Sequence, residues 1–204
     1  DAPYTVGSKT FRNWYSNKGY LGYSTIRDGI VYSMNIVAVR CMMETVSPQL
    51  GVEYARNFGI TPLTESDYNA ATALGGITKG VSNLELTAAY ATIANGGIYT
   101  KPVFFTKILD HNGKVLLENE PETKRVLKDS TAFLLTDALS QSMEGSRMYS
   151  SAGVNLNSTS AVANIPGMSN AGKSGTTTSN NDIWFVGFTP YYTAGIWSGC
   201  DDNQ

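Results

Sequence analysis

The chain is predicted to be an α+β protein in which helices pack on an antiparallel sheet. Three observations say so: a front half with helical apolar spacing and capping signals, a back half with three strand-like runs, and short connections between those runs, which make antiparallel neighbours. No internal repeat is present. At 204 residues and 42% hydrophobic, the chain fits one domain of ordinary size or most of a larger one, and can bury a sizeable core.

Residues 1–24 are rich in Tyr, Gly and Asn and are expected to be loop. The apolar spacing from Thr25 to Tyr32 suits a short helix, which Ser33 interrupts. From Asn35 a stronger apolar run through Ile36, Val37, Val39, Met42 and Met43 carries the helical signal to Ser47-Pro48, where proline restricts the residue before it and sets a boundary. Another helix is expected from Gln49 to Asn57. Ser82-Asn83-Leu84-Glu85 has capping-box form and predicts a helix start; Asn95-Gly96-Gly97 predicts its end, because glycine tolerates the left-handed closing conformation. Beyond Lys101-Pro102, two apolar runs flank Asn112-Gly113 and predict a peripheral hairpin around a tight turn. Asp129 is expected to cap an amphipathic helix through Phe133, Leu134, Leu135, Ala138 and Leu139 that ends at Glu144-Gly145. Residues 150–171 are dominated by Ser, Ala, Asn and Gly and are expected to form a long surface connection with little to bury. Strand-like runs then cover residues 171–178, 183–189 and 191–199, joined by Ser179-Asn180-Asn181-Asp182 and by Pro190.

A net charge of −2 without a Lys/Arg cluster gives no electrostatic footprint for nucleic acid or an anionic membrane, so no nucleic-acid partner is expected. No apolar stretch approaches the roughly 20 residues that span a bilayer, and the start has no signal-peptide pattern; any targeting or anchoring element is expected outside this segment. Cys41 lies in an apolar helical run and Cys200 at the end of a strand-like run, so buried or half-buried thiols are expected rather than a disulfide. With one histidine, His111, in a turn, no multi-ligand metal site is expected, and no cofactor is implied.

Two motifs compete for the same residues. Gly167 through Gly172-Lys173-Ser174 satisfies the phosphate-loop pattern in full, but that chemistry needs a strand before the loop and a helix after it. Downstream lies Gly175-Thr176-Thr177-Thr178, a poor helix start, and no aspartate-ending apolar run follows to hold magnesium. As a strand, Lys173-Ser174-Gly175-Thr176 offers a cation, two hydroxyls and a free edge amide, which suit an acyl substrate bearing a carboxylate. Alternation puts Lys173 and Gly175 on the face opposite Ser174 and Thr176, so twist or a bulge is needed to unite them. The plainer reading of this stretch is a solvated edge strand whose lysine discourages aggregation.

Ser33-Met34-Asn35, taken alone, merely breaks or caps a helix. Its setting is more informative. The run Asn17, Gly22, Thr25-Ile26-Arg27, Ser33-Met34-Asn35-Ile36-Val37-Ala38-Val39 resembles the class A penicillin-binding proteins almost position by position. So do Ala89-Tyr90-Ala91 through Ala94-Asn95-Gly96-Gly97-Ile98-Tyr99 with Lys101-Pro102, and Asp182-Ile183-Trp184-Phe185-Val186-Gly187-Phe188-Thr189-Pro190. Ser33-Met34-Asn35 and Lys173-Ser174-Gly175-Thr176 then match the second and third active-site motifs of penicillin-binding transpeptidases. The resemblance covers nearly the whole chain in order. It implies a β-lactamase/transpeptidase-like fold, partial here, with a mostly helical subdomain beside the sheet.

On these residues the resemblance implies that Ser33 relays a proton toward the leaving group, that Asn35 hydrogen-bonds the substrate amide, and that Lys173 supplies positive charge and orients Ser33. The hydroxyls of Ser174 and Thr176 would hold the substrate's terminal carboxylate, the Thr176 amide would form half of an oxyanion hole, and Gly175 and Thr178 complete the substrate-binding set. The family's first motif, Ser-x-x-Lys, is missing: no serine is followed three residues later by lysine, and the nearest match, Ser24-Thr25-Ile26-Arg27, ends in an arginine that cannot act as a base. Residues 1–204 are therefore expected to be a single partial transpeptidase domain, without its N-terminal nucleophile segment and without a C-terminal helix over the sheet, and inactive alone. The implied partners are the D-Ala-D-Ala stem peptide of peptidoglycan, β-lactams, and the remainder of the same protein, in one chain or a second. The implied place is the extracytoplasmic face of the bacterial cytoplasmic membrane. A non-catalytic peptidoglycan- or partner-binding module of the same fold is the alternative, with a phosphate-loop nucleotide-binding protein behind it. Serine β-lactamases share the motifs, but the class A landmarks point away from them.

Overall fold

The computed structural model describes residues 1–149 and 153–200. It opens with a hairpin where loop was expected, β1 (Tyr4–Val6) against β2 (Lys9–Phe11), turned by Gly7 at φ 57°. Three-residue strands are too short to show alternation in sequence, yet Phe11 is buried there with Ile36 and Val39.

Helix α1 (Ile26–Val31) starts at Thr25, whose side chain accepts from the Asp28 amide while the Asp28 carboxylate accepts from the Thr25 amide, a complete capping box. It ends where Ser33 turns left-handed at φ 53°. The Met34 amide then donates to Gly29 O (2.9 Å) and the Ser33 amide to Ile30 O (3.3 Å), the paired closure of a Schellman motif. Glycine normally holds that position, so a serine there is a strained choice. Helix α2 (Asn35–Arg40) passes into a π-helical turn, Cys41–Val46, and α3 (Pro48–Asn57) follows Ser47-Pro48 as expected, with the Ser47 hydroxyl accepting from the Leu50 amide.

Helix α4 (Asn83–Ala94) has the predicted capping box at Ser82 and closes at the predicted Asn95-Gly96-Gly97. Gly97 is obligatory: at φ 84°, a Cβ would sit 2.5 Å from the Leu127 carbonyl. Strand β3 (Ile98–Thr100) leads to the expected hairpin, β4 (Lys107–Leu109) with β5 (Val115–Glu118), followed by β6 (Thr123–Arg125), which returns to pair with β3. The turn is looser than a two-residue one. Gly113 alone is left-handed, its amide bonds Asp110 O, and the register shifts at Leu109, as in a bulged three-residue loop. Helix α5 (Asp129–Met143) ends at Glu144-Gly145, but Asp129 does not cap it; Lys128 holds the cap position, and the Asp129 carboxylate instead accepts from Arg125 (2.8 Å).

The largest departure is in residues 150–171. Strand β7 (Arg147–Tyr149) pairs with β8 (Asn155–Asn157), and Val154, Leu156, Ser158 and Ser160 are all buried. Residues 150–152 of that expected connection lie outside the described residues. The alternate burial of 154, 156, 158 and 160 is a strand period, hidden in the sequence because two of the four inward residues are serines.

Strands β9 (Ala171–Thr176), β10 (Asp182–Phe188) and β11 (Thr193–Gly199) form the expected antiparallel meander in the order β11-β10-β9. Helices α4 and α5 cover one face, where Leu139, Ala171 and Phe188 pack with Ile30, Tyr90 and Ile93. A second core joins Tyr15, Val31, Tyr32 and Met34 to Val154 and Leu156. On the far face of the sheet Ile183 and Ile196 stay exposed, Ile196 at 65%. Cys41 is half-buried and Cys200 is exposed rather than buried, and both are free thiols. Among the described residues, no helix is long and apolar enough to cross a membrane.

Candidate active site

The two candidate motifs meet. Ser33 projects from the left-handed link between α1 and α2, Lys173 from edge strand β9, and Lys173 Nζ donates to Ser33 Oγ at 2.9 Å across 140 positions of sequence. Lys173 Nζ also donates to the Ser174 carbonyl at 2.9 Å. The register of β9 on β10 is unbroken, so no bulge brings the opposed faces together. The long lysine stem does so, by curling back over the strand's free edge.

Among the described residues, no ion pair includes Lys173. Burial without a counter-charge pushes its ammonium down to about 8. Asn35 opens α2 beside Ser33, and its carboxamide donates to Arg12 O at 3.0 Å, which ties the helix start to the end of β2. The neighbouring Ile36 amide donates to the buried Asn13 side chain (3.0 Å), so a residue far away in sequence caps α2 where Met34 cannot.

Ser33, Asn35, Lys173, Ser174, Gly175 and Thr176 line one cavity of about 660 Å³. Its wall also includes the apolar side chains of Ile30, Val37, Met42, Ile93, Leu135 and Leu139. Tyr90 and Cys41 are the other titratable groups on the wall; burial pushes the Tyr90 phenol up to about 12. Of the charges on α1 and α5, Arg27 and Asp137 are bound to each other at 2.6 Å, Asp28 accepts from Thr25, and Asp129 accepts from Arg125.

The free edge of β9 presents its groups in order. The Gly172 carbonyl and the Ser174 amide and carbonyl point outward and are each engaged. The Thr177 amide turns back to Asp182 O, so alternation leaves the Thr176 amide on the outer side, toward the cavity. The Ser174 hydroxyl leans to Thr159 O at a long 3.4 Å. Thr178 lies past the strand's end, in a single 3-10 turn (Thr178–Asn180), and does not line the cavity. The phosphate-loop alternative has no helix after Gly172-Lys173-Ser174: those residues run in extended β9.

Comparison with known proteins accords with this geometry. The family model described as the penicillin-binding protein transpeptidase domain matches residues 1–197. The chain belongs to the penicillin-binding protein transpeptidase family. Penicillin-binding protein 1A of Clostridium botulinum is 35% identical over 187 residues, covering 91% of this chain and 21% of that protein. The Aquifex aeolicus protein of the same name is 37% identical, covering 92% and 23%. The chain therefore spans about a fifth of the length of these class A relatives. Among solved structures, penicillin-binding protein 1A from Haemophilus influenzae superposes with a TM-score of 0.79 at 28% identity, over all of this chain and 34% of that one. The PonA1 protein of Mycobacterium tuberculosis in complex with penicillin V superposes at 0.80 with 25% identity, over 99% and 54%. The fold is thus that of a transpeptidase domain, a helical layer and subdomain around an antiparallel sheet.

Proposed function

We propose that residues 1–204 form most of the acyl-transfer site of a serine D,D-transpeptidase that crosslinks peptidoglycan and is captured by β-lactams. The observation that carries this reading is the 2.9 Å bond from Lys173 to Ser33 inside a cavity that also holds Asn35 and Thr176. In the reaction, a serine oxygen attacks the penultimate D-Ala carbonyl, the C–N bond breaks, and the terminal D-Ala leaves as an amine. Ser33 relays the proton to that amine, and the Lys173 ammonium holds Ser33 in place and offsets the developing negative charge. The Thr176 amide stabilises the oxyanion, and the hydroxyls of Thr176 and Ser174 bind the terminal carboxylate. Asn35, held by Arg12 O through one N–H, has its remaining N–H and its oxygen for the substrate amide.

The nucleophile comes from outside residues 1–204, since none of these serines has a lysine three positions on. The apolar wall of the cavity and the exposed face at Ile183 and Ile196 are surfaces for segments of the same protein to cover, the former beside the nucleophile. The similarity to a protein solved with penicillin V supports β-lactams as ligands. The substrate places this domain outside the cytoplasmic membrane.

Mass mapping of the parent protein after benzylpenicillin treatment tests the proposal. A single penicilloyl adduct is expected on a serine outside this segment, and none on the isolated segment. An adduct on any residue of 1–204, or none on the parent, would overturn it.

A further inference from the structure

Edge strands leave every second residue's N–H and C=O unpaired. On β9 those residues are Gly172, Ser174 and Thr176, and two buried hydroxyls outside the catalytic motifs serve the first two. Ser142 of α5, fully buried, donates to Gly172 O at 2.7 Å, with Leu139 O also in reach at 2.8 Å. Ser160, 1% exposed, accepts from the Ser174 amide at 3.1 Å. Lys173 lies between these two contacts, and its own amide and carbonyl face β10, opposite Val186. The lysine is thus bracketed on its strand. Its Nζ then reaches Ser33 by way of the Ser174 carbonyl, in the residue whose amide Ser160 holds.

We propose that Ser160 is a positioning residue for the Lys173–Ser33 pair, fixing the edge of β9 so that the ammonium meets Ser33 and Thr176 is the first edge residue open to substrate. Ser142 holds the other side of the bracket. The inference rests on the transpeptidase reading above. A serine suits the task because its oxygen can accept at the edge without offering a further strand, so β9 is satisfied here without being extended. A bare edge at Ser174 would admit water or a sliding ligand backbone, and Lys173 would lose its fixed origin.

The test uses the full-length parent protein and a β-lactam, measuring the second-order acylation rate against pH together with the melting temperature. Ser160→Ala is expected to slow acylation about tenfold, the effect of losing one positioning hydrogen bond. Its alkaline limb should move upward, as a loosened Lys173 regains solvent. Ser160→Thr, which keeps the accepting oxygen, retains the wild-type rate, and Ser142→Ala moves the limb in the same direction as Ser160→Ala. Thr92→Ala removes a buried hydroxyl far from β9 in sequence, one that donates to Ala88 O, and lowers the melting temperature alone. Ser160→Ala with wild-type rate and limb, or Thr92→Ala reproducing both changes, overturns the inference while leaving the transpeptidase reading intact. A wild-type parent that takes no adduct sinks both.

Discussion

Two edge strands of this molecule carry a lysine in a short antiparallel ladder, and they use it in opposite ways. On the hairpin β4–β5, Lys107 stands opposite Glu118 and pairs with it at 2.8 Å in solvent. Its neighbours Ile108, Leu109, Leu116 and Leu117 are exposed as well. On β9, Lys173 has no carboxylate partner among the described residues; it is half-buried, bound to Ser33 and to a carbonyl, and its proton is loosened. Lys107 is the aggregation-deterring edge lysine that the sequence also allowed for Lys173. The difference teaches that strand position and residue type do not assign a role; the missing counter-charge does.

The contrast is sharpest in acylation. In the parent protein Lys173→Ala is expected to slow penicillin labelling by about two to three orders of magnitude, while Lys107→Ala leaves it unchanged. A fluorescent-penicillin time course reads both, and equal rates would erase the distinction.

Ser33 separates stability from chemistry. Ser33→Gly should relieve the left-handed backbone, stabilising the fold by about 1 kcal/mol, yet slow acylation about a hundredfold or more through loss of the proton relay. A variant that gains stability at full activity would remove Ser33 from the mechanism.

A third test is pH. Acylation should fall as pH rises through about 8, where Lys173 loses its proton, and Lys107→Ala should show the same profile. The sign for stability is the reverse. The folded value lies below the ordinary lysine value of 10.5, so between the two the unfolded chain binds more protons. The penalty of burying the ammonium is complete below pH 8 and lifts as pH climbs toward 10.5. Chemical denaturation of Lys173→Met against wild type across that window should show the wild type gaining relative to the variant. The smallest effect belongs to Lys107 and Glu118, where a double-mutant cycle should return about 0.2–1 kcal/mol, falling further with salt.

The start of α4 was legible because a capping box is a local chemical statement: Ser82 with Glu85 announces itself within four residues, and so does the Gly97 closure, whereas the cap expected of Asp129 on α5 falls to Lys128. The meander was legible from its short connections. What could not be read was anything requiring a distant partner. The cap of α2 comes from Asn13, and Lys173 reaches Ser33 by a stem that strand alternation does not describe. Residues 153–160 misled because buried serine looks like exposed serine until its partner is known. The Ser174 hydroxyl, assigned wholly to substrate from the motif, turns out to lean toward Thr159.

Position 33 answers to two selections that disagree. Its backbone prefers glycine or asparagine, while the contact with Lys173 needs a hydroxyl. A randomised library sorted for thermal endurance should drift away from serine at this codon, and one sorted for antibiotic capture should return to it. Sites where two such sorts diverge mark chemistry in a protein without reference to any ancestor.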